Sequence, residues 1–203
     1  MKAKFIVIEG IDGSGKSTQA AKVAEWLENF TGLKTISTFE PGGCDTCKKL
    51  REFILSSKNF SVLSELLLFL ADRAEHVNKK ILPELKAGHN VICERYNDST
   101  LAYQSGGHNE NLSLTKKLID SCEFPEPDIK IFLDISPEIA FKRVQERKNL
   151  NDKFESEGLE LMTRVANFYR SCSEGENFIV INCDNLSIEE TFRAIITELE
   201  AKI

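Results

Sequence analysis

Short runs of apolar residues alternate with stretches of helical periodicity along most of the chain. Five runs have the length and composition of buried strands, and they cover residues 5–8, 33–39, 90–93, 129–133 and 178–182. Between them, apolar residues recur every three or four positions, as Ala20, Val23, Leu27 and Phe30 do after the first run. This alternation predicts an α/β fold in which helices cover both faces of a parallel sheet. Ligands of such folds bind at the carboxyl ends of the strands.

Local signals mark the starts of two helices near the end of the chain. Ser187 and Glu190 have the spacing of a capping box, in which each side chain binds the backbone N–H of the other residue. Ser136 followed by Pro137 is typical of an N-cap and a first helical residue. Helices are therefore expected to begin at these two points.

Two segments depart from the alternation. Residues 61–77 are apolar nearly all round the first half of a helical pattern, which predicts a helix with the core on one face and a second subunit on the other. Residues 146–158 are polar and charged and lie between two helical patterns. They fit either a solvated connection or a mobile lid over bound phosphates, and the sequence leaves both open. With no repeats and no Pro/Gly-rich linker, residues 1–203 predict one domain.

Composition and charge narrow the classes of partner. Apolar residues make up 41% and charged residues 29%, as in soluble globular proteins. The net charge of −6 argues against a nucleic-acid partner or an anionic membrane surface. No apolar run reaches membrane-spanning length, and the N-terminal run breaks at Glu9, too early for a signal peptide. The expected location is the cytoplasm, and the expected partners are small molecules.

Cysteine spacing gives little support to a metal or redox centre. The six cysteines are scattered, and only Cys44 and Cys47 are close, as C-D-T-C. This pair supplies two ligands, whereas structural zinc takes four. The cysteines are expected to be free thiols that are mostly packed.

The first predicted strand is followed by a phosphate-binding motif, "GIDGSGKST". It satisfies G-x-x-x-x-G-K-[ST] with Gly10, Gly15, Lys16 and Ser17. A glycine-rich backbone followed by a helix can direct several N–H groups at phosphate oxygens. Lys16 is predicted to reach the β- and γ-phosphates, and the Ser17 hydroxyl to bind Mg²⁺. The predicted ATP-binding residues are Gly10, Ile11, Asp12, Gly13, Ser14, Gly15, Lys16, Ser17 and Thr18.

A phosphate-binding loop leaves three classes open: a GTPase switch, a motor-type or regulatory ATPase, and a small-molecule kinase. The guanine-reading motif N-K-x-D is missing from the sequence. Asp134 ends an apolar strand as in motor ATPases, but Ile135 follows where a catalytic acid would stand, so Asp134 is interpreted as structural. Glu94 followed by Arg95 at the end of a strand favours a kinase, in which Mg²⁺ and two phosphates meet.

Five segments in order resemble the bacterial thymidylate kinase family. They are "GIDGSGKST", "FEPGG" (39–43), "LLFLADRAEH" (67–76), "ERYNDSTLAYQ" (94–104) and "PDIKIFLDISPEIAFKR" (127–143). The resemblance implies a P-loop kinase fold with a five-stranded parallel sheet, helices on both faces and a mobile lid, usually as a homodimer. It also implies phosphorylation of dTMP to dTDP by ATP and Mg²⁺, for dTTP synthesis. A deoxynucleoside monophosphate kinase of relaxed base choice and a non-catalytic nucleotide-binding switch remain alternatives.

The resemblance also implies an acceptor site. In it, Phe69 stacks on thymine, Arg73 donates to the base edge, and Tyr103 crowds the 2′ position of the sugar. The full set of implied dTMP-binding residues is Glu40, Pro41, Arg51, Phe69, Arg73, Arg95, Thr100, Tyr103, Gln104 and Tyr169.

The implied catalytic residues are Lys16, Arg95, Asp12 and Lys153, and the implied metal ligands are Ser17 and Glu94. The chain departs from the family pattern at Phe39, where arginine is common, and at Glu94, where aspartate is common. It has Gly13 where some relatives carry a catalytic arginine, so a lid cation is expected to replace that charge. The candidates are Arg147, Lys148 and Lys153.

Overall fold

The sheet has the five strands that the apolar runs predict. A computed structural model describes residues 2–56, 60–108, 111–146, 158–173 and 178–203. The strands are β1 (Phe5–Glu9), β2 (Thr35–Phe39), β3 (Asn90–Glu94), β4 (Ile129–Asp134) and β5 (Phe178–Asn182). They are all parallel and lie in the order β2-β3-β1-β4-β5, so the predicted fold class is confirmed.

Strand β1 lies at the centre because it is apolar on both faces. Ile6 and Ile8 face one core, which they share with the first helix, α1 (Lys16–Thr31). Phe5 and Val7 face the other core. Side chains alternate across a strand, so an uninterrupted apolar run suits a strand that helices cover on both sides.

The described residues form nine α-helices, two of which continue into π-helical turns. After α1 come α2 (Asp45–Ser56), α3 (Val62–His76), α4 (Leu82–Lys86), α5 (Asn97–Thr100), α6 (Leu112–Ser121), α7 (Pro137–Glu146), α8 (Leu159–Cys172) and α9 (Ile188–Glu200). The π-helical turns follow α3 at Val77–Ile81 and α5 at Leu101–Gly107. Within the described ranges, no helix is both long enough and apolar enough to span a membrane.

Both predicted helix starts are found, but their side chains behave differently. The capping box at Ser187 is complete, with Glu190 bonded back to the Ser187 backbone. Helix α7 begins at Pro137 as predicted, whereas the Ser136 hydroxyl donates to the Asp184 carboxylate. The Ser136 side chain, which the local spacing predicted to be an N-cap, is therefore bonded to a residue 48 positions away.

Helix α3 is buried on one face by its own chain. Leu66 and Leu70 are buried in a core cluster, whereas Leu63 and Leu67 are 43% and 48% exposed. The core half of the expectation for residues 61–77 is therefore confirmed. The subunit half stays a prediction.

Candidate active site

The loop between β1 and α1 has the backbone of a phosphate-binding turn. Gly10, Gly13 and Gly15 all have positive φ, a backbone conformation that residues with a Cβ rarely adopt. A Cβ on Gly13 would also lie 2.4 Å from the carbonyl oxygen of Ala140 in α7. The glycines therefore let the loop turn tightly while it packs against a neighbouring helix.

Lys16, the first residue of α1, follows this loop directly and is almost fully buried. Its ammonium donates to the Ile11 carbonyl oxygen at 2.8 Å and lies 3.9 Å from the Asp12 carboxylate. Burial, reinforced by the nearby Arg95 guanidinium, lowers the pKa of Lys16 to about 8. A poorly solvated cation at this place binds an anion more strongly than a surface lysine would.

Arg95 follows directly after β3 and has a left-handed backbone, with φ of 68°. Its guanidinium donates to Asp12, to the Tyr103 hydroxyl at 3.1 Å and to the Ser99 hydroxyl at 3.1 Å. Burial tends to raise the pKa of Asp12, but Arg95 and Lys16 outweigh it and hold that pKa below its usual value. Asp12 therefore stays ionised and aligns both cations at one point.

A cavity of about 470 Å³ opens beside these groups at the carboxyl ends of β1, β2 and β3. Twelve of the residues predicted to bind ATP, dTMP or metal line it. They are Asp12, Ser17, Glu40, Pro41, Arg51, Phe69, Arg73, Glu94, Arg95, Thr100, Tyr103 and Gln104. Four lining residues were not assigned a binding role from the sequence, namely Phe39, Leu55, Asp72 and Ser99.

Tyr169 was expected to line the acceptor pocket, and the structure does not place it there. Its ring is 1% exposed and stacks on Phe132 at 5.2 Å. Its hydroxyl lies 2.8 Å from the Glu9 carboxylate and 2.7 Å from the Ser99 hydroxyl. Because these buried partners hold its polar tip, Tyr169 supports the cavity wall from behind.

Arg73 lines the cavity and is held rigidly by three hydrogen bonds. Its Nε donates to Glu40 at 2.7 Å, and its terminal nitrogens donate to the Thr100 hydroxyl and to the Tyr96 carbonyl oxygen, each at 2.9 Å. Burial lowers the pKa of Arg73, but the Glu40 carboxylate outweighs this, so the guanidinium stays charged. The fork is thus fixed in one plane, as recognition of a flat polar edge requires.

Arg51 occupies a separate position on the cavity wall. It donates to the Pro41 carbonyl oxygen at 2.8 Å, and its guanidinium lies 5.8 Å from the centre of the Phe39 ring. Phe39 is 44% exposed although it is a large apolar residue. The departure from arginine at position 39 therefore gives the Arg51 guanidinium an aromatic neighbour.

Ser17 and Glu94, the two predicted metal ligands, lie side by side. The Ser17 hydroxyl donates to Glu94 Oε2 at 2.7 Å, although the residues are 77 positions apart. A hydroxyl and a carboxylate are the hard oxygen donors that Mg²⁺ prefers, and Mg²⁺ completes its shell with phosphate oxygens and water. The donor set fits the predicted ion.

Glu9 is a buried acid beside the site that the sequence reasoning did not assign. It accepts hydrogen bonds from the backbone N–H groups of Tyr96 and Ser99, from the Ser99 hydroxyl and from Tyr169. Burial and the neighbouring Asp98 raise its pKa. The sequence does show Glu9 as an acid directly after the apolar run 5–8. That position is the carboxyl end of a strand, where ligands bind in this class of fold.

Arg143, on α7, is a second residue beside the site that was not assigned a role from the sequence. Its guanidinium donates to the Gly13 carbonyl oxygen at 3.3 Å.

The lid candidates Arg147, Lys148 and Lys153 lie outside the described residues. Asp134 is paired with Arg170, whose Nε donates to it at 2.9 Å, which agrees with its interpretation as a structural residue.

The cysteines are free thiols, as expected, and three of them are buried. Within the described ranges, the one cluster of possible metal ligands comprises Glu40, His76 and Cys93, and it excludes Cys44 and Cys47. Glu40 already pairs with Arg73, and burial raises the pKa of Cys93 well above its usual value. Glu40 is also hydrogen-bonded to His76, and the protonated Cys93 thiol donates to the Arg95 carbonyl oxygen at 3.2 Å.

Asp72 lines the cavity with an incompletely bonded carboxylate. Its Oδ2 accepts the Gly42 N–H at 3.2 Å, and its Oδ1 has no hydrogen-bond partner among the described residues. Burial, and next the Glu40 carboxylate, raises the pKa of Asp72 to about 6. The ionised side chain is therefore unfavourable in the folded protein at neutral pH.

Asp72→Asn should consequently stabilise the protein at pH 7.5 and leave its stability nearly unchanged at pH 4. The folded-state pKa lies above the unfolded one, so this carboxyl favours folding when protonated and loses that contribution as the pH rises from about 4 to about 6. The gain in unfolding free energy at pH 7.5 should be about 1–3 kcal/mol by urea denaturation. Asp45→Asn, at an exposed carboxylate, serves as the control. An equal gain in unfolding free energy at both pH values would contradict the raised pKa of Asp72.

The chain is similar to known proteins over most of its length. The family model for thymidylate kinase matches residues 8–195. Thymidylate kinase from Prochlorococcus marinus strain MIT 9301 is 46% identical over 192 residues, which cover 90% of this chain and 89% of that protein. The chain belongs to the thymidylate kinase family.

Two further relatives extend the likeness. Thymidylate kinase from Carboxydothermus hydrogenoformans is 40% identical over 90% of each chain. The crystal structure of thymidylate kinase from Ehrlichia chaffeensis superposes with a TM-score of 0.80 at 30% identity, covering 98% of this chain and all of that one. The P-loop kinase fold implied by the sequence is therefore confirmed, and members of the family use ATP as the phosphate donor.

Proposed function

We propose that this family member transfers the γ-phosphoryl group of ATP to dTMP and so makes dTDP for dTTP synthesis. The observation that carries the proposal is that one continuous cavity is lined both by Asp12 and Ser17 of the P-loop and by the buried Arg73 guanidinium. The P-loop, residues 10–18, takes the phosphates of ATP. The cavity takes the acceptor nucleotide.

The acceptor base is assigned to the part of the cavity around Arg73. The Arg73 fork and the Thr100 hydroxyl supply polar contacts to the base edge, and the partly exposed Phe69 ring supplies a stacking surface. Gln104, buried and bonded to Glu65 at 3.3 Å, stands on the same side. One aromatic face and fixed polar groups suit a planar base better than a flexible substrate.

The sugar and phosphate are assigned to the remaining walls. Glu40 and Pro41 lie beneath the sugar, and Tyr103 crowds its 2′ position, where a ribose hydroxyl would meet the ring. Arg51 and Arg95 hold the acceptor phosphate, as the two guanidinium groups on the cavity wall outside the base pocket.

Charge accounts for the chemistry. Transfer brings two anionic phosphates together, and Lys16 and Arg95 reduce their repulsion from buried positions held by Asp12. The transferred group needs little covalent help, so positioning and electrostatics supply most of the rate and no side-chain nucleophile is required. Ser17 and Glu94 would hold Mg²⁺, which when bound neutralises phosphate charge.

A homodimer is proposed from the exposed apolar face of α3. Leu63 and Leu67 lie on one face of that helix and are exposed in the single chain, as a subunit contact requires. The cytoplasmic location and the catalytic lid cation Lys153 stay predictions from the sequence.

The function is tested by ADP release in a coupled assay, with ATP and Mg²⁺ held constant and the acceptor varied. Turnover with dTMP, and less than about one tenth of that efficiency with dGMP, dCMP and dAMP, is the expected result. Comparable turnover of several bases would instead support relaxed base choice. ATP binding with no acceptor-dependent turnover would support the non-catalytic switch and contradict the proposal.

A further inference from the structure

A series of four buried side chains connects β2 to the part of the cavity assigned to the base. Thr38 Oγ1 lies 2.7 Å from His76 Nε2, His76 Nδ1 lies 2.9 Å from Glu40 Oε1, and Glu40 Oε2 accepts from Arg73 Nε at 2.7 Å. Each of the four is no more than 6% exposed. We call this the Thr38–Arg73 series. Of its members, Glu40 and Arg73 line the cavity, whereas Thr38 and His76 lie behind it.

The position of His76 depends on a glycine in the neighbouring loop. His76 ends α3 and is fully buried. A Cβ on Gly43 would lie 2.3 Å from His76 Nε2 and 2.6 Å from its Cδ2, so only glycine leaves room for the ring. The imidazole therefore lies directly against residues 40–43, the loop that brings Glu40 and Pro41 to the cavity.

Hydrogen-bond chemistry fixes the direction of the bonds in the series. The Glu40 carboxylate is ion-paired with Arg73 and can only accept, so His76 Nδ1 carries a proton and donates to it. In the neutral ring the Thr38 hydroxyl then donates to Nε2. The ring is held at both nitrogens, and Glu40 is held at both oxygens.

We propose that His76 is a positioning residue for the acceptor nucleotide: it fixes Glu40, and through Glu40 it aims the Arg73 guanidinium at the acceptor base. This inference rests on the proposed function, in which Arg73 binds the base. Three of the five N–H groups of Arg73 have a partner among the described residues, namely Glu40, Thr100 and the Tyr96 backbone. The remaining two can reach a ligand only if these three stay in place.

The series predicts a loss confined to one substrate. Without the Nδ1–H donor, the buried Oε1 of Glu40 loses its partner, and the carboxylate turns toward other donors and pulls Arg73 with it. The base then meets a misaligned fork, whereas the P-loop and its lysine keep their own contacts. Affinity for the acceptor should fall, and affinity for ATP should not.

Two replacements of His76 separate positioning from simple packing. In His76→Asn the amide nitrogen takes the place of Nδ1 and can still donate to Glu40. In His76→Gln the amide nitrogen takes the place of Nε2, near Thr38, and leaves Glu40 Oε1 without its donor. We expect the KM for dTMP to rise about tenfold in His76→Gln and less than about threefold in His76→Asn. In both, kcat and the KM for ATP should stay within about twofold of the unchanged protein.

His89 provides a matched control, because its Nδ1 is also bonded to a carboxylate, Glu84, at 2.7 Å, and neither residue lines the cavity. His89→Gln should change neither KM. Thr38→Val gives a second test that leaves His76 in place, and it should raise the KM for dTMP about threefold by freeing the ring to turn. If His76→Gln fails to fold, as shown by circular dichroism, Thr38→Val decides the matter.

The outcomes distinguish the inference from the proposed function. Equal KM values for dTMP in the unchanged protein, His76→Gln and Thr38→Val would overturn the positioning role while leaving the function intact. A parallel rise in the KM for ATP, or equal effects of His76→Gln and His76→Asn, would also overturn it, since either indicates a general packing defect. An unchanged protein that neither binds dTMP by calorimetry nor phosphorylates it would overturn the proposed function first.

Discussion

Replacement of Arg95 by alanine should lower kcat by about 10³-fold, equivalent to about 4 kcal/mol of barrier. Its guanidinium is buried beside Asp12, stacks 4.9 Å from the centre of the Tyr103 ring, and lies on the cavity wall near the P-loop. A cation held there before reaction needs no reorganisation as phosphate charge shifts, which makes it effective in the transition state. Steady-state kinetics with both substrates varied would measure kcat and each KM.

Two further variants complete this test. Arg95→Lys keeps the charge but loses the fork that contacts Asp12, Ser99 and Tyr103 together, so it should recover only part of the rate. Arg170→Ala removes the ion pair with Asp134, which does not line the cavity, and should leave kcat within about twofold. If Arg95→Ala itself kept kcat within about twofold, Arg95 would have no catalytic role.

Lys16→Met should reduce turnover by about 10³-fold or more while the protein stays folded. Methionine has nearly the length of lysine and no charge, so it fills the buried volume and removes only the cation. Because the pKa of Lys16 is lowered to about 8 in the free protein, part of the population is neutral at pH 8.5. Bound phosphates favour the charged form and raise that pKa.

ATP binding at pH 8.5 should therefore take up a proton, on the order of 0.7 per site if the pKa rises well above that pH. Calorimetry in two buffers of different ionisation enthalpy measures the uptake, and Lys16→Met should abolish it. Lys22→Met on the same helix, where the ammonium is paired with Glu189 at 2.7 Å, is the control for both measurements. Turnover of Lys16→Met close to that of the unchanged protein would contradict the P-loop assignment.

Several site features could be predicted because their signals are local in sequence. The spacing of Gly10, Gly15, Lys16 and Ser17 specifies a phosphate-binding turn without knowledge of the rest of the chain. Arg73, four residues after Phe69, falls on the same face of α3, and both line the cavity. The order of the five motifs supplied the remaining assignments by resemblance, and the lining of the cavity agrees with most of them.

Other features depend on partners that no local pattern reveals. Tyr169 was assigned to the pocket, but Glu9, 160 positions away, takes its hydroxyl into the protein interior. Glu9 was not assigned for the same reason, since an acid at the end of a strand does not reveal the four donors that bind it in the fold. His76 was part of a recognised motif, but only the fold places it against Gly43 and Glu40.

The sequence pattern by itself determined the five-stranded parallel sheet and the phosphate-binding loop, because hydrophobic periodicity and glycine spacing act through the nearest neighbours along the chain. Most of the other cavity residues were assigned from the resemblance of five sequence motifs to a known family. Only the tertiary structure decided which groups are held by which partners: Ser17 by Glu94, Arg95 by Asp12, Arg73 by Glu40, and Glu40 in turn by His76. These pairs lie far apart in sequence, and parallel strands bring them together because the segments that follow β1, β2 and β3 meet at one edge of the sheet.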